Sequence, residues 1–117
     1  MKRKSFEEFW EDVKKLTERK RRFCTVGQQM INIVEQVKED EILVKSERGN
    51  KPIAPVPKRM FRTTYDILRQ QRLASQKVLM GTVKRSAFVT AVLAHLPYFR
   101  VCTSPVTIEV KKGYEFY

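Results

Sequence analysis

Residues 84–97 read Lys84-Arg85-Ser86-Ala87-Phe88-Val89-Thr90-Ala91-Val92-Leu93-Ala94-His95-Leu96-Pro97, and the reading of this stretch decides the fold. On a helical wheel Phe88, Val89, Val92, Leu93 and Leu96 share one broad apolar stripe, the face a helix must bury. Opposite them lie Ser86, Ala87, Thr90, Ala91 and Ala94, a face of small side chains that lets a helix backbone approach closely whatever it meets. Pro97 stops the helix. Lys84 and Arg85 stand at the end where the helix macrodipole is already positive, which is unfavourable in isolation and favourable beside an anion. Free N–H groups of the first turn, the Ser86 hydroxyl and two cations therefore suggest a phosphate site. His95, at the edge of the apolar stripe, reads as a partly buried structural residue.

The charge around this helix is uneven. The 117 residues carry a net +11. Residues 51–85 contribute nine cations against the single Asp66, whereas residues 23–50 hold three cations and five acids. So strong an imbalance in one small domain points to a polyanionic partner, nucleic acid ahead of a membrane surface. Hydrophobic residues at 42% and aromatics at 10% indicate a folded chain with one modest core, residues 1–117 forming a single nucleic-acid-binding domain. Met1-Lys2-Arg3-Lys4 leads into an amphipathic acidic helix rather than an apolar run, so no signal peptide is expected. No run of about 20 apolar residues is available to cross a bilayer, and a cytoplasmic location is expected. Cys24 and Cys102 are too few for a disulfide framework and, with His95 alone beside them, for a structural zinc site; buried free thiols are the expectation. No cofactor or metal is expected.

Upstream, Ser5-Phe6-Glu7-Glu8 forms a capping box, followed by Phe6, Phe9, Trp10, Val13 and Leu16 at helical spacing. Residues 24–37 fit a helix through Val26, Met30, Ile33, Val34 and Val37, but β-branched residues crowd the run. A second β-rich run, residues 41–47, follows a short polar turn, so a hairpin is expected, closed by Arg48-Gly49-Asn50. Pro52, Pro55 and Pro57 confine 51–57 to an extended connector or edge strand. From Lys58 the period turns helical, with Phe61, Tyr65 and Leu68 inward and Arg59, Arg62, Arg69 and Arg72 on other faces. A shorter helix over 75–80 is broken by Gly81 and Thr82. Residues 98–103 and 106–112, split by Ser104-Pro105, read as two short strands.

The expected fold is α+β: an N-terminal helix, a β-hairpin, a three-helix segment and a C-terminal β-hairpin, with the third helix in the recognition position of a winged helix. Residues 42–49, the basic-aromatic helix and residues 84–99 together resemble small winged-helix-like DNA-binding modules of the kind found beside prokaryotic restriction and defence proteins. The resemblance implies DNA binding through the helix that starts at Ser86. It departs from the pattern in that this helix lacks long polar side chains, which favours recognition of backbone or shape over base reading. Arg59, Arg62, Arg69, Arg72, Lys77, Lys84, Arg85, Ser86 and Thr90 are the expected contacts, with Lys111 and Lys112 extending the footprint as a wing.

Other readings compete. Glu109-Val110-Lys111 is half of a restriction-like nuclease pattern, but the partner Asp on a preceding strand is missing, and no Ser/His/Asp or Cys/His set is present; a non-catalytic role is expected. Tyr98, Phe99, Tyr114, Phe116 and Tyr117 would stack RNA or single-stranded bases if exposed, and serve the core if packed beneath the hairpin. Phe6, Phe9 and Trp10 would form a docking face in a regulatory subunit, or the core. A homodimer or a protein partner is compatible with either.

Overall fold

The structure is a computed structural model that describes residues 2–25, 30–48, 52–81, 83, 85–103 and 105–117. In chain order the elements are β1 (Lys2–Lys4), α1 (Phe6–Arg19), β2 (Arg22–Cys24), β3 (Ile31–Val37), β4 (Glu41–Ser46), β5 (Ala54–Pro57), α2 (Lys58–Gln71), β6 (Leu73–Ser75), α3 (Gln76–Met80), α4 (Ser86–Leu93), β7 (Phe99–Cys102), β8 (Thr107–Val110) and β9 (Tyr114–Phe116). The α+β class stands. Three sheets share the strands, in the orders β1-β9, β2-β3-β4-β5 and β6-β8-β7.

The capping box forms as its sequence requires: Ser5 Oγ accepts from Glu8 N–H at 3.2 Å and Glu8 Oε1 accepts from Ser5 N–H at 3.1 Å. Those bonds to the charged form hold the Glu8 carboxyl below its ordinary value, the Ser5 backbone amide contributing most. β3 and β4 make the expected hairpin, with a register shift between Val34 and Gln36. The proline-rich β5 pairs with β4 at the sheet edge, where a missing N–H costs no ladder bond. β7 and β8 form the C-terminal hairpin, and β6, from the α2–α3 connection, adds to β8. Val26, Gly49, Asn50, Thr82, Lys84 and Ser104, which enter the sequence expectations, lie outside the described residues.

One apolar core joins these layers. Phe6, Phe9 and Trp10 lie inside it, Phe9 between Phe61 (6.4 Å between ring centroids) and Phe99 (6.1 Å). The Trp10 indole N–H donates to the Glu39 carbonyl at 2.9 Å, so the helix buries its aromatic face without an orphaned donor. That face is therefore core, not a docking surface. Tyr98, Phe99 and Phe116 are likewise buried beneath the terminal strands.

The helix that opened the sequence reading departs from its expected role. Every residue of α4 except the half-buried Ala87 is buried, including Ser86, Thr90 and Ala91. There is no outer face: a helix with apolar or small residues all round is an interior helix. Small side chains at Ala87, Thr90 and Ala91 let α1, α3, β2 and β7 all close on it, and Phe23 of β2 meets Phe88 edge-to-face at 5.6 Å. Ala94, His95 and Pro97, past the helix end, return to the surface, where His95 packs against Phe23. The two cysteines also depart from expectation. Both thiols are free and exposed, because Cys24 and Cys102 fall on the outward-pointing registers of edge strands.

Candidate nucleic-acid interface

The expected contact residues separate into three places. Arg59, Arg62 and Arg69 lie at i, i+3 and i+10 on α2 and are exposed, forming one ridge with Asp66 at i+7. Asp66 Oδ1 is 3.4 Å from Arg62 Nε and 3.9 Å from Arg69 Nε, close enough to pair electrostatically but not aligned as hydrogen bonds. The Arg62 guanidinium also stacks over Phe6, 4.7 Å from the ring centroid, which fixes its direction. Arg59 has no carboxylate partner among the described residues. Lys58 and Arg59 occupy the first turn of a helix with no acidic residue there and no side-chain cap, so the ridge begins at an end that favours an anion.

Arg72 continues the ridge. It caps α2 in the left-handed conformation (φ 59°), and its guanidinium donates to the carbonyls of Lys111 (3.3 Å) and Tyr114 (2.9 Å). Two of its donors are thus spent on the turn that carries Lys111 and Lys112, both exposed. Gly113 completes that turn at φ +94°, a conformation side chains resist. The parallel pairing of β1 with β9 then delivers a cation that sequence reasoning missed. Lys2 lies opposite Tyr114, its N–H bonded to the Gly113 carbonyl at 2.7 Å and its ammonium 5.9 Å from the Tyr114 ring. No local signal marks a three-residue strand paired with the far end of the chain. From Arg59 to Arg72 the ridge runs about 20 Å at helical rise, and Lys111, Lys112 and Lys2 extend it.

Arg85 is elsewhere. The Lys58 N–H bonds to the Asp40 carbonyl at 2.8 Å, placing the start of α2 at the β3–β4 turn. Arg85 Nη1 donates to Asn32 Oδ1 at 3.4 Å, at the opposite end of β3. The five residue steps from Asn32 to Val37 separate the two by about 17 Å at strand rise. Lys77 is exposed on α3. Ser86 and Thr90, buried in α4, are not available to a partner; Lys84 lies outside the described residues.

Glu109 is engaged by Arg100 at 2.6 Å across the β7–β8 pair, the role of an ordinary cross-strand ion pair. Among the described residues no three His, Cys, Asp or Glu side chains are grouped to hold a metal ion. No helix there is long and apolar enough to cross a membrane. Compared with protein-family models, curated proteins and solved structures, the chain gives no match.

Proposed function

We propose that this chain is a non-catalytic nucleic-acid-binding protein that grips the phosphate backbone of duplex DNA, in preference to RNA, along the α2 ridge and the 111–114 turn. The observation that carries this reading is that Arg72, at the end of the α2 row of Arg59, Arg62 and Arg69, donates to the turn that carries Lys111 and Lys112, with Lys2 paired opposite Tyr114 beside it; Asp66, Glu109 and the Arg3–Glu115 pair offset part of that charge. A ridge of about 20 Å matches roughly six base-pair steps of axial rise. The order α2, β6, α3, α4, β7, β8, with β6 added to the hairpin, is compatible with a winged-helix-like unit. In that reading α1 and β2 occlude its third helix, and contact passes to its first helix and the residues following its hairpin. Tyr98, Phe99 and Phe116 are buried, so of the five aromatics on or beside the terminal strands the exposed Tyr117 and the half-buried Tyr114 remain for base stacking, a smaller platform than a single-strand binder uses.

The test is a titration against duplex DNA, single-stranded DNA and duplex RNA over a salt series. Four to six neutralised phosphates give a slope of log K on log salt of about −4 to −5 for duplex DNA. Arg59→Ala with Lys112→Ala should flatten it by about 2 without sequence preference. Binding indifferent to salt, or to this double change, would overturn the assignment.

A further inference from the structure

The inner face of the β2–β5 sheet is apolar through Phe23, Val34, Ile42, Val44 and Val56, all in the core. At one end the pattern breaks. Asn32 and Ser46 stand directly opposite each other in the β3–β4 register, on that same core-facing side, and are only 8% and 7% exposed. Polar side chains in such a position need partners. Asn32 Oδ1 has one, the Arg85 guanidinium; among the described residues neither the Asn32 amide N–H groups nor the Ser46 hydroxyl has any.

These groups face a cavity of about 240 Å³ with Thr25, Asn32, Ser46 and Arg85 on its polar side and Met30 and Phe88 on the other. The Thr25 hydroxyl oxygen already accepts from Met30 N–H at 3.0 Å. What remains is a set of donors: the unused guanidinium N–H groups, the Asn32 amide, and the hydroxyls of Ser46 and Thr25. Among the described residues no carboxylate lines the cavity, and the nearest in sequence, Glu47, is held by Arg22 at 2.7 Å. The cavity also opens on the start of α4, which has no side-chain cap. Arg85 itself holds the left-handed conformation there (φ 56°, ψ 40°), and its cation adds to the positive end of the helix.

We propose that this cavity is a phosphate-binding pocket in which Arg85, Asn32 and Ser46 hold a phosphate group at the N-terminus of α4. A pocket rich in donors and poor in acceptors, with a cation and an apolar wall that lowers the local dielectric, is complementary to an oxyanion and to little else. At about 30 Å³ per water, the volume admits a phosphate and part of the group it esterifies. The phosphate has two possible sources, the backbone of a nucleic acid or a small phosphorylated molecule. The pocket does not rest on the α2 ridge, which lies at the other end of β3.

The experiment is a two-dimensional ¹H–¹⁵N titration of the whole chain with inorganic phosphate, against sodium chloride of equal ionic strength, followed by duplex DNA. Saturable phosphate-specific shifts at the amides of Asn32, Ser46, Ala87 and Phe88 are expected. Arg85→Gly, which suits the backbone conformation and removes the cation, should weaken phosphate binding by at least about tenfold; Ser46→Ala should weaken it several-fold, and Lys38→Ala, exposed at the far end of β3, should leave it unchanged. DNA-induced shifts at the same four amides would assign the phosphate to nucleic acid. Phosphate shifts with no response to DNA would keep the pocket and sink the backbone-binding reading. Shifts from DNA confined to α2 and residues 111–114, with none from phosphate, would overturn the pocket and leave that reading standing. Phosphate binding unaltered in both Arg85→Gly and Ser46→Ala would also overturn it.

Discussion

Thr90 is where the expected recognition surface and the observed interior helix part most sharply, and Thr90→Val separates them. The residue is 0% exposed, and its hydroxyl has no hydrogen-bond partner among the described residues. A buried hydroxyl left unbonded costs about 1–3 kcal/mol. Valine has nearly the same shape, and its helix propensity is close to that of threonine, so neither a cavity nor a backbone penalty offsets the gain. Stabilisation of about 1–2 kcal/mol follows. With about 2.1 cal/mol/K of unfolding entropy per residue, a chain of this length gains about 4 °C per kcal/mol, so Tm should rise by roughly 4–8 °C. Differential scanning calorimetry of both proteins in one buffer measures it, and a DNA titration on the same samples should show no change in affinity. A fall in Tm would mean that the hydroxyl has a partner in solution. A loss of affinity at unchanged Tm would return α4 to the binding surface.

Leu93→Ala, in the same helix and fully buried, should destabilise by about 2–5 kcal/mol in urea denaturation; a loss below 1 kcal/mol would place Leu93 outside the core. Ser5→Ala should cost about 1 kcal/mol through the lost cap and let the Glu8 pKa rise toward its ordinary 4.5. Because the folded Glu8 pKa is depressed, its contribution is present above 4.5 and lost as pH falls through the lower folded value. The pH dependence of stability below 4.5 should therefore be shallower in the variant, and identical slopes would refute it. Cys24 and Cys102 should both react with a thiol reagent in the native state, without denaturant; protection of either until unfolding would contradict its exposure.

The elements with local chemistry were legible from sequence. The capping box, the β-branched runs of β3 and β4, the prolines of β5 and the periodicity of α2 each specify their structure through contacts within a few residues. What escaped was the tertiary setting of α4. A wheel shows Ala87, Thr90 and Ala91 as a separate face, but whether small residues meet solvent or a close neighbour depends on elements far along the chain. Here β2 and α1 supply that neighbour, and β2 is three residues long. The same reason hid Lys2 from the candidate footprint and Asn32 and Ser46 from the candidate phosphate site. Arg85 was legible as an anomaly, a cation at a helix start, although its partners on the sheet were not.

The pairing of β1 with β9 joins residues about 110 apart in sequence, and the Tyr65 hydroxyl lies within hydrogen-bonding distance of the carbonyls of both Lys4 and Tyr117. Closing a loop of that size in a flexible chain costs about 4 kcal/mol beyond the constant term, far more than three ladder positions return at once. The pair is therefore expected to form late, after α2 has set Tyr65 in place and the β6–β8–β7 sheet has brought the turn at Gly113 into reach. During synthesis the chain must wait for residue 116 before this corner of the core can shut, and until then Tyr65 and Phe99 lack the Phe116 ring that packs against them at 5.2 and 5.4 Å. Substitutions at Phe116 should consequently speed unfolding while leaving the folding rate almost untouched. On that expectation the late-forming corner is also the one that brings Lys2 beside the turn of Lys111 and Lys112, so the far end of the basic ridge and the closing of the core would be completed together.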